Sequence, residues 1–134
     1  MDAKKMVQYC FAYADDRKAE NPTILDVQGL STVTDYFLIV TGSSQPHLRA
    51  VANEIVDENK KHHEIRPHNI DGSFGTGWVV IDYHSVIVHV MTEQMRDRYD
   101  LESLWGDAPK VKPRRPRGMG KGAVKNRPVE SPRS

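Results

Sequence analysis

The sequence predicts a single α/β domain: a mixed sheet of about five strands with helices packed on its faces. Three observations carry that expectation. Apolar residues recur at helical spacing in two segments, one over residues 3–20 and one from residue 45 to about 62. Between them lies Tyr36-Phe37-Leu38-Ile39-Val40, apolar at every position. A half-exposed strand would alternate, so this run is expected at the sheet centre with both faces covered. Two β-rich runs, 78–83 and 86–91, are separated only by His84-Ser85, the spacing of an antiparallel hairpin.

The elements follow in order. In the first helix Met6, Cys10 and Ala14 recur four residues apart, with Phe11 and Tyr13 widening the stripe. Asn21-Pro22 is expected to end it, because a residue before proline disfavours the helical region. Residues 23–28 read as a strand built on Ile24 and Val27, and 29–34 as a connection. Thr41-Gly42-Ser43-Ser44 breaks the central strand. Ser44 is placed to cap the second helix, with Pro46 in its first turn and a stripe of Leu48, Val51, Ala52, Ile55 and Val56. Residues 64–70 form a weaker strand, and Pro67 confines it to an edge. Residues 71–77 hold three glycines and read as a loop. Thr92 caps a short helix through Tyr99, and 101–104 add another turn.

A chain of 134 residues suits one domain. Cys10 is the only cysteine, which excludes an internal disulfide and fits a reducing cytosol. The charge is divided. Residues 1–108 carry 17 acidic and 10 basic side chains, whereas 109–134 carry 9 basic side chains and only Glu130 against them. That second segment also holds most of the prolines and few large apolar residues, so it cannot bury enough surface to offset its ordering entropy. The expected organisation is a folded domain over 1–108 and a basic, Pro-rich disordered tail over 109–134. No run approaches the ~18–20 apolar residues of a membrane span, and a cytoplasmic protein without membrane contact is expected.

Catalytic chemistry finds little support. The six histidines show no metal-ligand spacing, and no cofactor or metal is implied. His62-His63 reads as cation placement at a helix C-terminus. His89 reads as a hydrogen-bonded, partly buried histidine or as a polar contact at a binding surface. The Thr41-Gly42-Ser43-Ser44 turn, between strand and helix, could hold a phosphate on its backbone N–H groups. Nucleotidyl transfer, however, needs paired carboxylates for a divalent ion soon after such a turn. Asp57 and Glu58 are adjacent within the helix, and Asp82 stands alone. The residues point to a binding module and name no catalytic residue.

Three stretches together resemble the Iojap / ribosomal silencing factor (RsfS) family. They are Leu30-Ser31 with 35–44, His47 and Ala50; Gly77-Trp78-Val79-Val80-Ile81-Asp82-Tyr83 with 86–91; and 98–108, which includes Tyr99, Leu104 and Trp105. The resemblance covers about residues 4–108 and leaves out the basic tail. Relatives commonly carry Gly-Asp where this chain has His84-Ser85. The resemblance implies a mixed five-stranded α/β fold of nucleotidyltransferase-like topology without catalytic carboxylates, and a non-enzymatic factor that binds a protein on the intersubunit face of the large ribosomal subunit. Bound there, it blocks joining of the small subunit and represses translation, chiefly under nutrient limitation. Plastid and mitochondrial relatives are linked to ribosome assembly. The alternatives are a nucleotidyltransferase-like enzyme and an RNA-binding ribosome-assembly adaptor.

Candidate partner-binding residues are Trp78, Asp82, Tyr83, His89, Met91, Tyr99 and Trp105. On the strand 78–83, Val79 and Ile81 belong inside, which turns Trp78 and Asp82 outward, with Tyr83 at the strand end. Aromatic side chains flanked by polar groups are the usual energetic centres of protein interfaces. The stretch from Tyr99 to Trp105 is too apolar to be free and is expected partly to dock on the sheet and partly to edge the interface. The tail is expected to add nonspecific contact with ribosomal RNA. A homodimer of the unoccupied protein is also expected.

Overall fold

The computed structural model describes residues 1–119. Four helical segments, α1 (Ala3–Asp16), α2 (Gln45–His63), α3 (Glu93–Tyr99) and α4 (Leu101–Leu104), accompany six strands. These are β1 (Glu20–Asp26), β2 (Tyr36–Thr41), β3 (Asn69–Ser73), β4 (Trp78–Asp82), β5 (Val86–Met91) and β6 (Lys110–Val111). They form one mixed sheet in the order β3-β4-β5-β2-β1-β6. Only β2 and β5 pair in parallel, from Tyr36↔Val86 to Thr41↔Met91; the other neighbours are antiparallel. All six residues of β2 are buried, as its unbroken apolar run requires of a central strand covered on both faces.

The two faces carry separate clusters. Against α1 and α2 pack Ile24, Leu38, Val40, Val79, Ile81, Val88 and Val90, which meet Met6, Cys10, Leu48, Val51 and Ile55. On the opposite face Leu25, Val27, Phe37, Ile39 and Met91 are closed over by Ala108, with Met95, Leu101 and Trp105 packed around them. Each fully buried Leu, Ile or Met side chain here contributes roughly 1.5–3 kcal/mol. The caps expected from sequence are in place. Ser44 Oγ accepts from His47 N–H at 3.2 Å and Thr92 Oγ1 from Met95 N–H at 3.3 Å.

Several boundaries differ from the sequence reading. The first helix stops at Asp16, ahead of Asn21-Pro22. Lys18 adopts φ +61° and donates to the Asp15 carbonyl, which closes the helix early and frees Glu20–Asp26 to pair with β2. The strand expected over 64–70 is shifted to Asn69–Ser73, because Glu64 caps α2 in the left-handed region. It keeps the expected edge position. Asp71, Gly72 and Ser73, expected as loop, pair with Val80, Val79 and Trp78. The ladder offered by β4, and not side-chain preference, makes them a strand. His84 takes φ +71° in the hairpin turn, where Asp82 Oδ1 accepts its N–H at 2.7 Å. His63 is not a helix-end cation. It sits against Tyr9 with its Nε2 2.8 Å from the Tyr13 hydroxyl, and burial pushes its pKa down.

The chain does not leave the domain at Ala108. Lys110 and Val111 pair with Leu25 and Ile24 as β6, and Gln8 clasps the next residues. Its Nε2 donates to the Lys112 carbonyl at 3.0 Å, and its Oε1 accepts from Arg114 N–H at 2.8 Å. The start of the expected tail is therefore held by backbone pairing and side-chain hydrogen bonds, which need no apolar side chains. The rest of the expected tail, residues 120–134, lies outside the described residues.

Candidate protein-docking face

Directly paired residues of neighbouring strands share a sheet face. The pairs Trp78↔Met91, Val80↔His89 and Asp82↔Ile87 therefore place all six on the face opposite α1 and α2. Phe37 and Ile39 continue the same rows into β2. The α3–α4 segment covers the β1–β2 side of this face and the Trp78–Met91 end of β4 and β5, and leaves the rest of β4–β5 uncovered, where Val80, Asp82 and Ile87 are half-buried.

Gly77 sets how closely α3 approaches. It has φ +84°, and an added Cβ would lie 3.0 Å from Thr92 Oγ1 and 3.1 Å from Met95 Cγ. Its carbonyl accepts the Thr92 N–H at 2.9 Å, which ties the start of α3 to the start of β4. Arg96 fixes the rest of the helix. Its Nε and Nη2 donate to the two carboxylate oxygens of Glu102 at 3.1 and 2.9 Å. Nη1 reaches the Asn21 carbonyl at 2.6 Å and Thr41 Oγ1 at 3.0 Å, and Nη2 also reaches Thr23 Oγ1 at 2.9 Å. Sequence reasoning missed Arg96, because one arginine six residues before a glutamate forms no recognisable pattern.

Between these anchors a chain of rings crosses the face. Trp105 meets Phe37 edge-on at 5.2 Å, Phe37 meets His89 at 5.4 Å, His89 lies 5.9 Å from Trp78, and Trp78 lies 4.9 Å from Tyr99. Trp78 Nε1–H donates to His89 Nδ1 at 3.1 Å. An indole can only donate, so Nδ1 accepts and the imidazole proton sits on Nε2. Burial pushes the His89 pKa down to about 4, so the ring is neutral near pH 7 and the hydrogen bond persists. Trp78 is thereby held rigid while half-buried. Tyr99 stands at the border of the face, 50% exposed, and Leu104 of α4 is 72% exposed.

The structure brings together Trp78, Asp82, His89, Tyr99 and Trp105, but it separates two residues expected with them. Met91 is fully buried beneath Trp78 and α3, with no surface to offer. Tyr83 points to the other face, where its hydroxyl accepts from Asn59 Nδ2 at 3.1 Å between α1 and α2. Met91 is hidden by the layer that covers its face, a fact absent from strand alternation, whereas Tyr83 keeps the parity of Val79 and Ile81 and follows them to the α1–α2 side. Val80 and Ile87 join the face in their place.

The turn at Gly42-Ser43 shows a different use from phosphate binding. A Cβ on Gly42 would lie 2.8 Å from Leu48 Cδ2 and 3.2 Å from Leu48 N, so glycine lets α2 start against the strand end. His47 Nδ1 accepts the Ser43 N–H at 2.9 Å, while His47 Nε2–H donates to the Arg17 carbonyl at 2.7 Å. A backbone donor that could face a phosphate is consumed inside the turn. Among the described residues no group of three His, Cys, Asp or Glu side chains is placed to hold a metal ion. Among the same residues no helix is long and apolar enough to cross a membrane.

A family model described as "Ribosomal silencing factor during starvation" matches residues 1–133. The chain belongs to the ribosomal silencing factor (RsfS) family. The RsfS of Bacillus subtilis is 39% identical over 109 residues, covering 81% of this chain and 92% of that protein. A mouse protein named for mitochondrial assembly of the ribosomal large subunit is 33% identical over 65% of this chain and 39% of its own length. Among solved structures, one from Bacillus halodurans is 33% identical with a TM-score of 0.70, covering 81% of this chain and 98% of its own. One from Chromobacterium violaceum has a TM-score of 0.75 at 26% identity, covering 92% and 98%. The RsfS fold is thus the mixed α/β sheet described above.

Proposed function

We propose that the protein represses translation without catalysis, by docking the open β4–β5 face on a protein of the large ribosomal subunit's intersubunit surface and so blocking joining of the small subunit. The observation that carries the reading is the chain of rings ending in Trp78 and Tyr99, beside the half-buried Val80 and Ile87, in a chain of the silencing-factor family. Pre-ordered aromatic anchors bind with little loss of side-chain entropy, and Asp82, paired with Ile87 at the far end of the same face, supplies a polar rim. The action belongs to the cytoplasm, where ribosomes join. The same face would pair two copies when no ribosome is present.

Sedimentation through a sucrose gradient tests it. The protein should migrate with large subunits and diminish joined ribosomes when added before the small subunit. Val80→Glu and Tyr99→Ala alter half-buried or exposed side chains of the face and should abolish both effects with little change in melting temperature. Co-migration and blocking that survive in both variants would reject this face as the docking surface.

A further inference from the structure

We propose that the first turn of α1 and the basic segment around residues 112–117 together form a cleft for the phosphate backbone of an RNA strand. Between them lies an open recess of about 320 Å³ whose lining includes Lys4, Lys5, Arg114 and Arg117. All four side chains are exposed, and none has an ion-pair partner among the described residues. They converge because the chain after Ala108 is pinned. β6 pairs with β1, and the Gln8 amide clasps the backbone at Lys112 and Arg114. Cations 110 residues apart in sequence thus face one recess, within a body that is otherwise acidic.

The same fold disposes of the acids that would repel an anion. Arg115 pairs with Asp15 at 3.3 Å and Asp16 at 2.9 Å, covering the acidic end of α1. Asp2 is the one acid in the lining, and its Oδ1 is engaged by the Lys5 backbone N–H at 2.7 Å as the helix cap. The lining holds no aromatic ring on which a base could stack. Recognition there is by charge along a backbone and carries no sequence preference. Nor does any large apolar side chain line the recess, of the kind by which a segment enters a bilayer interface. More cations follow in the sequence at Lys121, Lys125 and Arg127. The inference rests on the ribosome-docking reading, which brings RNA phosphate within reach. Because α1 packs on the face opposite Trp78, both surfaces can be occupied at once.

The test measures binding of a short labelled single-stranded RNA to the full chain across a salt series, by fluorescence anisotropy. Lys4→Glu/Lys5→Glu is the first variant; acidic side chains suit the first turn of a helix, so the fold should survive. Arg114→Glu/Arg117→Glu is the second. Each should weaken affinity at low salt by about tenfold or more, and lower the salt dependence by roughly 0.7 in log–log slope for each phosphate left without a cation. Val80→Glu should leave RNA binding unchanged while abolishing large-subunit binding, which separates failure of the docking face from failure of the cleft. RNA affinity within about twofold of the parent in both charge-reversed chains would overturn the cleft. So would binding to anionic phospholipid vesicles with none to RNA.

Discussion

Replacing Arg96 by methionine tests how the docking face is held. Methionine keeps most of the apolar stem of a side chain that is 11% exposed and removes only the guanidinium, which makes five hydrogen bonds. Removing one partner of a buried ion pair costs about 3–5 kcal/mol; Glu102 keeps 28% of its side-chain surface in water, which sets the expected loss near the lower end, about 3 kcal/mol. For a domain of this size each kcal/mol moves the melting temperature by roughly 3–5 °C, so Arg96→Met should melt about 10 °C or more below the parent. Hydrogen bonds from Arg96 hold the Glu102 carboxyl below its ordinary value of 4.5. A depressed folded value means that this stability is full above 4.5 and is lost as pH falls through the folded value. Circular-dichroism melts of the parent, Arg96→Met, Glu102→Gln and the double variant, repeated from neutral to acid pH, measure both effects. The acid limb of Arg96→Met should be flatter than that of the parent. Large-subunit binding should fall as well, because α3 carries Tyr99 against Trp78. A melting temperature within about 3 °C of the parent would refute the argument that this network anchors the helix.

Three further outcomes follow from the geometry. With its pKa pushed down to about 4 by burial, neutral His89 favours the folded state, so stability should decline as pH falls from the unfolded value of 6.5 towards 4; His89→Phe should reduce that slope, leaving the smaller share of His63, whose pKa is also lowered by burial, as melting temperature against pH would show. Gly77→Ala forces φ +84° on alanine and a contact of 3.0 Å with Thr92 Oγ1, for a loss of about 1–3 kcal/mol in denaturant titration and weaker large-subunit binding. Truncation after Ala108 removes β6 and the Arg115 pairs with Asp15 and Asp16, so thermal melts should place it several degrees below a chain ending at Met119; equal melting temperatures would show the segment to be a passive passenger.

Sequence alone determined the parts of this protein governed by local periodicity and caps. The unbroken run at 36–40 could only be a strand covered on both faces, and β2 is buried throughout. Ser44 and Thr92 announced their helices because a side-chain oxygen beside the first free N–H groups is a local interaction. Trp78, His89, Tyr99 and Trp105 were also legible as an aromatic set, and the structure brings them together. What sequence could not decide depends on which layer covers which face. Alternation separates Trp78 from Val79, Ile81 and Tyr83, but only the packing of α1 and α2 against one side and α3 against part of the other buries Tyr83 and leaves Trp78 half-open. Met91 reads like any β-strand methionine until α3 covers it. The strands at 69–73 and 110–111 have no apolar pattern of their own; they exist because β4 and β1 present free backbone edges, and hydrogen-bonded pairing across a sheet is indifferent to side-chain hydropathy. For the same reason the basic recess beside α1 is invisible in the chain, since Lys4 and Arg114 meet only after a sixth strand has turned the C-terminal segment back across the domain.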